Sequence, residues 1–550
     1  MTATSLPLST APLTARDEDI AYARVTWRLV PLLFICYVAA YLDRVNVGFA
    51  KLQMLSDLKF SESIYGLGAG IFFIGYFLFE VPSNLLLHKL GARRWIARIL
   101  ISWGLISGCM MFVQTPTMFY VLRFLLGVAE AGFFPGIILY LTYWYPSARR
   151  SQVTSLFMTG IPMAGVIGGP LSGWILGSSN GVAGMAGWKW LFIIEALPSV
   201  ALGFVVMFCL VDRIADARWL NTDQKRLLQR NIDQESAKVG DYSALGVFRN
   251  AKVWVLCAAY FGFIMGLYGV GFWLPSLIKA SGISSPATIG WLVAIPYSAA
   301  VVCMILTSRH SDRTGERRWH IAIPALVGAA ALVVSTFVPQ TPLWAIVTLT
   351  VATMGILTGL AQFWVLPPAF LGGAAAAAGI ALINSVGNLA GFVSPFAVGW
   401  IKDATGSTNN GLYVIAASLV VGAAIIVAIA PRGARRAQGC RMNRYVGAGI
   451  RDGGAALPPS FEAYQVEALA CRCDEALVRE WQPNAVVGTH SHPFDAEAIV
   501  VQGEMWLTEG DRTRHLRVGG TFRLSAGTPH SERYGPEGAT FWVGRKTAAA

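Results

Sequence analysis

Four ionisable residues stand inside stretches that are otherwise apolar enough to lie in a membrane: Asp43 and Arg44 in the first, Arg123 and Glu130 in the fourth. A charge in hydrocarbon is costly, so each is expected to face a protein interior through which ions or charged solutes move. Arg123, Gly127 and Glu130 stand at i, i+4 and i+7 and share one helix face, with the charges about 10 Å apart at 1.5 Å rise per residue. Arg stays protonated and can grip a carboxylate through two parallel hydrogen bonds, which suits Arg44 and Arg123 to an anionic substrate. A carboxylate in a partly dry cavity can load and release a proton, which makes Asp43 and Glu130 the proton-coupling candidates. A substrate carboxylate at either Arg competes with an internal acid, and protonating that acid releases the Arg. The alternative is a permanent carboxylate–guanidinium pair that only holds helices together.

Such residues need a framework of membrane spans, and the composition provides one. A chain of 550 residues with 55% hydrophobic and 13% charged residues and a mean hydropathy of +0.53 is too apolar for a soluble enzyme of that length. The net charge of +12 is spread over short loops between apolar runs instead of one stripe, so nucleic acid is not the expected partner. The first twenty or so residues are polar and carry Arg16, Asp17, Glu18 and Asp19, so no cleavable signal peptide is expected.

Apolar runs lie near 25–48, 64–87, 95–113, 118–141, 152–177 and 188–211, then near 251–275, 286–307, 319–338, 343–366, 376–401 and 411–431. Each approaches or exceeds the roughly 20 residues that cross a bilayer core, which gives twelve spans. Lys89, Arg93, Arg94, Arg98, Arg149, Arg150, Arg309, Arg313, Arg317, Arg318, Arg432, Arg435 and Arg436 fall on one side, against Lys51, Lys59, Lys189, Lys279 and Lys402 on the other. Positive loops stay inside, so both termini are expected in the cytoplasm of a multi-pass inner (plasma) membrane protein. Disulfides are not expected from Cys36, Cys109, Cys209, Cys257 and Cys303 in the spans or Cys440, Cys471 and Cys473 in the tail.

The longest internal polar stretch, Asp212 to Lys252, contains Asn221-Thr222-Asp223 ahead of Gln224 to Ile232, which predicts a capped surface helix. On either side of it the chain repeats weakly: His88-Lys89-Leu90-Gly91-Ala92-Arg93-Arg94 matches Asp312-Arg313-Thr314-Gly315-Glu316-Arg317-Arg318 at an offset of 224 residues. Internal repeats of this kind belong to secondary transporters, which rock one half against the other around a central site.

These loops resemble the Gly-x-Leu-x-Asp-Arg-x-Gly-Arg-Arg motif of the major facilitator superfamily, with Asn84, His88 and Ala92 as departures in the first copy. The resemblance implies a conformational latch at Asp312 and Arg313; the alternative for these arginines is positive-inside anchoring. Tyr41-Leu42-Asp43-Arg44-Val45-Asn46-Val47-Gly48-Phe49-Ala50, Gly75 to Asn84 and Arg123 to Gly132 are similar to the anion:cation symporter family within that superfamily, over roughly residues 20 to 435. That resemblance implies import of organic anions, such as sugar acids, tartrate or aromatic carboxylates, with protons, and a substrate hydrogen bond from Tyr76.

Moving the four charges forward by the repeat offset gives Leu267, Tyr268, Val347 and Met354, so the second half lacks equivalents. It is expected to supply neutral contacts: Tyr268 and Trp273 in span seven, Gln362 and Trp364 in span ten, and Asn384, Ser385 and Asn388 in span eleven. Asn384 and Asn388 lie one turn apart and suit the hydroxyls of a polyhydroxy acid, with helix-to-helix bonding as the alternative. Glu195 in span six is read as structural.

After Arg436 the composition changes to a Gly- and Pro-containing linker and short alternating strands that hold four of the seven histidines. His490-Ser491-His492 places both imidazoles on one strand face. Gly488 to Glu497, then Gly503, and Gly519 through Gly527 to His530 resemble the two motifs of the cupin superfamily, with Ser525 and Tyr534 as departures. That resemblance implies a divalent-metal site of His490, His492, Glu497 and His530, holding iron, manganese, nickel or zinc; His515 lies outside it.

The expected fold is therefore an α-helical polytopic membrane protein with twelve transmembrane helices in a six plus six arrangement and a small all-β cupin barrel. The expected division is 1–22 N-terminal tail, 23–212 first bundle, 213–250 linker, 251–432 second bundle, 433–460 linker and 461–546 cupin domain. The expected function is proton symport of an organic anion by a monomeric transporter without a cofactor of its own, with a cytoplasmic cupin that senses or processes the solute; whether the cupin dimerises is open. The rivals are a membrane-tethered metal-dependent cupin enzyme and a transporter with an inert fused cupin.

Overall fold

The computed structural model describes residues 15–236, 249–367, 373–429, 458, 460–470, 473–510 and 512–547. Most of the expected 433–460 linker, with Arg432, Arg435, Arg436, Cys440 and Cys471, lies outside the described residues. The chain divides into two compact units, 1–433 and 434–550.

In the first unit, Glu18–Leu58, Glu62–Leu90, Ala92–Phe112, Pro116–Thr142, Leu156–Ser178 and Gly187–Cys209 form spans one to six. Ala251–Ala280 and Pro286–Thr314 are spans seven and eight, and Pro342–Phe363, Gly379–Thr405 and Asn409–Ile429 are spans ten to twelve. Among the described residues eleven helices are thus long and apolar enough to cross a bilayer, where twelve were expected. The ninth, Arg318–Val334, has 17 residues, roughly 25 Å at 1.5 Å each. It stops short of the expected run to 338 because the hydroxyls of Ser335 and Thr336 turn back onto the carbonyls of Leu332 and Val333.

Local chemistry sets the helix ends. Ser61, Thr115 and Ser285 accept hydrogen bonds from the N–H groups of Ile64, Met118 and Thr288, and Pro116 and Pro286 follow two of these caps. The polar segment between the halves forms a helix over Thr222–Ser236, started by the Gln224 N–H on Asn221 Oδ1 at 2.8 Å.

The repeat is visible in the packing. Span two packs on spans four and eleven, and span eight on spans ten and five; span three packs on six, and nine on twelve. Adding six to each member turns the first of these pairings into the second. The halves meet closely, since a Cβ on Gly66 would lie 2.4 Å from the Pro395 carbonyl and one on Gly290 would lie 2.3 Å from the Gly169 carbonyl. Span four is broken at Ala131–Gly132, whereas spans one and eleven are only locally irregular at Asn46 and Leu389, which keep helical dihedrals; broken helices are where transporters expose polar backbone and side chains to a binding site. Leu78, Leu105, Trp174, Phe208 and Trp400 stand exposed on the outer surface, as a lipid-facing belt requires.

The second unit has a helix, Phe461–Ala470, and six strands: β1 (Glu475–Trp481), β2 (Val486–His490), β3 (Phe494–Glu509), β4 (Arg512–Arg517), β5 (Thr521–Leu524) and β6 (His530–Thr547). All pairings are antiparallel, in the order β1-β6-β3-β4, with β2 also on β6 and β5 also on β3. The expected closed barrel is corrected to an open sheet. The two long strands serve as a shared spine, bent by bulges at 500–502 and 503–505, and among the described residues no pairing joins the outer strands into a ring. Ala496, Ala498, Val500, Met505, Leu507, Phe522, Tyr534 and Phe541 fill its concave core.

Candidate functional site

Spans one and four bring two of the four charges together. Arg44, at the end of the first segment of span one, is 8% exposed and forms an ion pair with Glu130, 1% exposed, at the break in span four. Its other terminal nitrogen donates to Tyr268 Oη of span seven at 2.7 Å, so the guanidinium joins the two halves. The rings of Tyr76 and Phe72 flank it at 5.5 and 5.3 Å. Gly127 permits this geometry, because a Cβ there would lie 1.9 Å from the Phe72 carbonyl of span two.

Arg123 is fully buried one layer away, donating from Nε to the Gly68 carbonyl at 3.2 Å and from Nη2 to the Ala69 carbonyl at 3.1 Å. Its Nη1 has no hydrogen-bond partner. Asp43 turns away from its neighbour Arg44 and accepts from Trp103 Nε1 at 2.9 Å, Ser107 Oγ at 3.1 Å and Ser199 Oγ at 2.5 Å.

The expected neutral contacts separate. Tyr268 and Tyr76 are at the Arg44 site, whereas the Gln362 amide donates to Ser308 Oγ at 2.5 Å and the Trp364 ring packs edge-on against Tyr260. Asn388 is buried, and Asn384 donates to Glu80 Oε1 at 3.2 Å beside Ser385, which donates to Oε2 at 2.7 Å. Glu80, 3% exposed on span two, thereby ties the halves together on the side toward the N-terminus. The sequence reading passes over it, although an acid in an apolar run is the signal that singles out Asp43 and Glu130.

On the opposite side Lys51, buried at the foot of the second segment of span one, pairs with Glu62 at 2.7 Å, and Glu62 pairs also with Lys402 of span eleven. Tyr65 donates to the Phe272 carbonyl at 3.0 Å, and Trp273 lies against the Lys51 ammonium, 3.2 Å from nitrogen to ring centroid. Trp273 is thus part of this outer contact. The central Arg44 is enclosed between two inter-half contacts. At the latch loop Asp312 pairs with Arg317 at 2.7 Å; Arg313 is exposed.

In the β unit, His490, His492 and His530 converge with ligand atoms within 4.8 Å of one another. His490 Nδ1 bonds to the Gly488 carbonyl and His530 Nδ1 to the Thr528 carbonyl, each at 2.9 Å. A carbonyl only accepts, so each Nδ1 carries the hydrogen and leaves a bare Nε2 when the ring is neutral. His530 Nε2 is buried without a hydrogen-bond partner. Burial and the neighbouring imidazoles hold His492 below the ordinary histidine range, which favours the neutral, ligating form. The donor set fits a divalent metal.

Glu497 is not in the cluster. Residues alternate across β3, and Ala496 and Ala498 take the inner face, so Glu497 points out and pairs with Arg523 at 3.1 Å. The buried carboxylate near the histidines is Glu532, 6% exposed, with Oε1 at 3.7 Å from His530 Nε2 and Oε2 accepting from Tyr534. The alternation His530, Glu532, Tyr534 along β6 was its available signal. His515 lies apart and bonds to Glu504 at 2.8 Å.

The profile of the Major Facilitator Superfamily matches residues 33–395. A Pseudomonas putida protein provisionally named the metabolite transport protein NicT is 47% identical over 430 residues, covering 77% of this chain and 98% of its own. A protein of Agrobacterium vitis provisionally named a tartrate transporter is 49% identical over 409 residues, covering 74% and 90%. Among solved structures, a D-xylose–proton symporter superposes with a TM-score of 0.60 at 15% identity over 74% of this chain and 99% of that one, a likeness of fold.

Proposed function

The chain belongs to the major facilitator superfamily, and we propose that it imports a small organic carboxylate with protons, in the manner of the anion:cation symporter family. Tartrate, a sugar acid or an aromatic acid is the proposed substrate class. We place it in the inner (plasma) membrane with both termini in the cytoplasm, on the strength of its loop charges.

The buried Arg44–Glu130 pair, reached by Tyr268 from the opposite half, carries this reading. A substrate carboxylate that takes Arg44 must displace Glu130, and Glu130 leaves most readily as the neutral acid after accepting a proton. Proton and anion then bind together. After the anion departs, ionised Glu130 retakes Arg44 and its proton is released. Asp43 is the other proposed proton site. Arg44 is the stronger candidate for the anion than Arg123, whose donors are largely taken by carbonyls. Tyr76 and Tyr268 would border the substrate; Gln362, Trp364, Asn384 and Asn388 would contact it only if their present partners are given up. The contacts at Lys51–Glu62–Lys402 and at Glu80–Asn384 would open alternately, and release of Asp312 and Arg313 would accompany the change.

The test is uptake of labelled tartrate, sugar acids and aromatic carboxylates into proteoliposomes, with and without an inward proton gradient. Gradient-dependent accumulation of at least one supports the reading. Accumulation indifferent to the gradient would remove proton coupling.

The three-histidine cluster favours a second, additional reading. We infer that the β unit is a cupin-like domain in which His490, His492 and His530 hold a divalent metal, be it iron, manganese, nickel or zinc. Such a metal would supply Lewis-acid or redox chemistry for sensing or processing the imported compound. His490 and His530 are pre-oriented for it by their carbonyl partners.

A further inference from the structure

Span six carries a buried acid that the scheme above leaves idle. Glu195 is 3% exposed; Oε1 accepts from Ser172 Oγ of span five at 2.6 Å, and Oε2 has no hydrogen-bond partner. One turn further on, Ser199 donates to Asp43, so the two carboxylates are neighbours across spans six and one. Asn46, at the irregularity in span one, is 1% exposed and adjoins Glu195, with its amide oxygen and nitrogen both unpartnered. Neither acid belongs to an ion pair among the described residues.

Two adjacent buried carboxylates do not both stay ionised without a cation. The hydrogen bonds tell them apart. Asp43 receives three donors, enough to hold a negative charge while its neighbour carries the proton, whereas Glu195 receives one hydroxyl and has the Asn46 amide beside it. A proton on Oε2 could be donated to the Asn46 amide oxygen, which would satisfy both unpartnered atoms at once. Of the other ionisable groups on the elements packed around it, Arg44 is taken by Glu130, Lys51 by Glu62, and Asp57 by the Trp188 indole N–H at 2.8 Å. At this level span three offers Trp103 and Ser107, and span five offers Ser172.

A small cavity adjoins the group where spans one, five, seven and eight meet, with Asn46 and Ser172 on one wall and Pro275 and Tyr297 on the other. It lies toward the ends of spans one and seven that are remote from the N-terminus. Parting of the halves on that side would admit water to it.

We propose that Glu195, with Asn46 and Ser172, is a further proton-binding site beside Asp43, separate from Arg44–Glu130 and loaded through this cavity from the face opposite the N-terminus. It rests on the proton-coupled reading.

The test is an infrared pH titration of the full-length protein in liposomes, reading the C=O stretch of protonated carboxylic acids. Wild type should show a band that disappears as pH rises. Glu195→Gln should lose that band, Glu130→Gln should keep it, and Asn46→Ala should shift it by removing the acceptor. A spectrum unchanged by both Glu195→Gln and Asn46→Ala overturns the proposal, as does a wild type without a titrating band. If Glu195→Gln fails to insert, the Asn46→Ala shift decides. Tartrate accumulation in the same vesicles is scored separately: its indifference to the gradient removes the coupling reading and leaves the Glu195 titration readable.

Discussion

Replacing Glu130 by Gln should separate anion binding from proton coupling. Both members of the Arg44–Glu130 pair are buried, at 8% and 1% exposure, and removing one partner of such a pair costs about 3–5 kcal/mol. Gln keeps a carbonyl that can accept one bond from Arg44, which recovers about 1.5 kcal/mol. The net loss of about 1.5–3.5 kcal/mol corresponds to a roughly 10- to 400-fold change in an equilibrium constant. An incoming carboxylate no longer has to displace an internal one, so the sign is toward tighter binding. Labelled tartrate should bind the purified variant roughly 10- to 400-fold more tightly than wild type. In proteoliposomes, exchange should persist while accumulation driven by an inward proton gradient is lost. Undiminished accumulation, or an affinity that falls, would refute the competition between Glu130 and the anion.

Tyr268→Phe removes the 2.7 Å bond from Arg44, a charge-assisted bond of about 1.5–3 kcal/mol; the KM for tartrate exchange should rise about tenfold or more, and an unchanged KM would detach Tyr268 from the site. Glu62→Gln leaves Lys51 and Lys402 without their shared partner, so a reporter cysteine at Ser61 should react faster with a maleimide in this background, and an equal rate would deny the contact a gating role. In the β unit, His490→Ala with His492→Ala should abolish stoichiometric zinc or cobalt binding by the full chain, measured by metal analysis. Glu497→Gln should leave it intact, and Glu532→Gln should weaken it about 10- to 100-fold, as loss of an outer-shell partner or a ligand does; the reverse order would restore Glu497 to the site.

The apolar runs are legible in the sequence because crossing a bilayer demands about 20 apolar residues, and that length survives any tertiary arrangement. Ten of the spans fall where hydropathy alone puts them within a few residues at most ends, the first runs longer at both ends, and among the described residues the ninth alone falls below the spanning length, cut by hydroxyl turns at Ser335 and Thr336 that hydropathy does not register. The intramembrane charges are legible for the same reason, since each violates its surroundings. Their partners are not. Spacing along span four sets Arg123 and Glu130 on one face, yet the contact goes to Arg44, because the close approach at Gly127 and the bonding of Arg123 to the Gly68 and Ala69 carbonyls decide which guanidinium reaches the acid. Gln362 and Asn384 look alike as polar residues in apolar spans. Only the packing turns one onto Ser308 and the other onto Glu80.

In the tail, His490, His492 and His530 can be picked out from their spacing, but the carboxylate cannot. The period of two along β3 fixes that Glu497 lies opposite Ala496 and Ala498, without fixing which face is inward. The sheet decides this by burying the alanines, and it brings Glu532 to the histidines from β6. The sequence by itself thus determined that charges are buried in a membrane and that histidines gather in a β unit, because burial and periodicity are local properties of the chain. Which acid meets which base was decided by the tertiary structure, since a contact over distances such as the 86 residues between Arg44 and Glu130 depends on helix breaks and inter-half packing that no local spacing encodes.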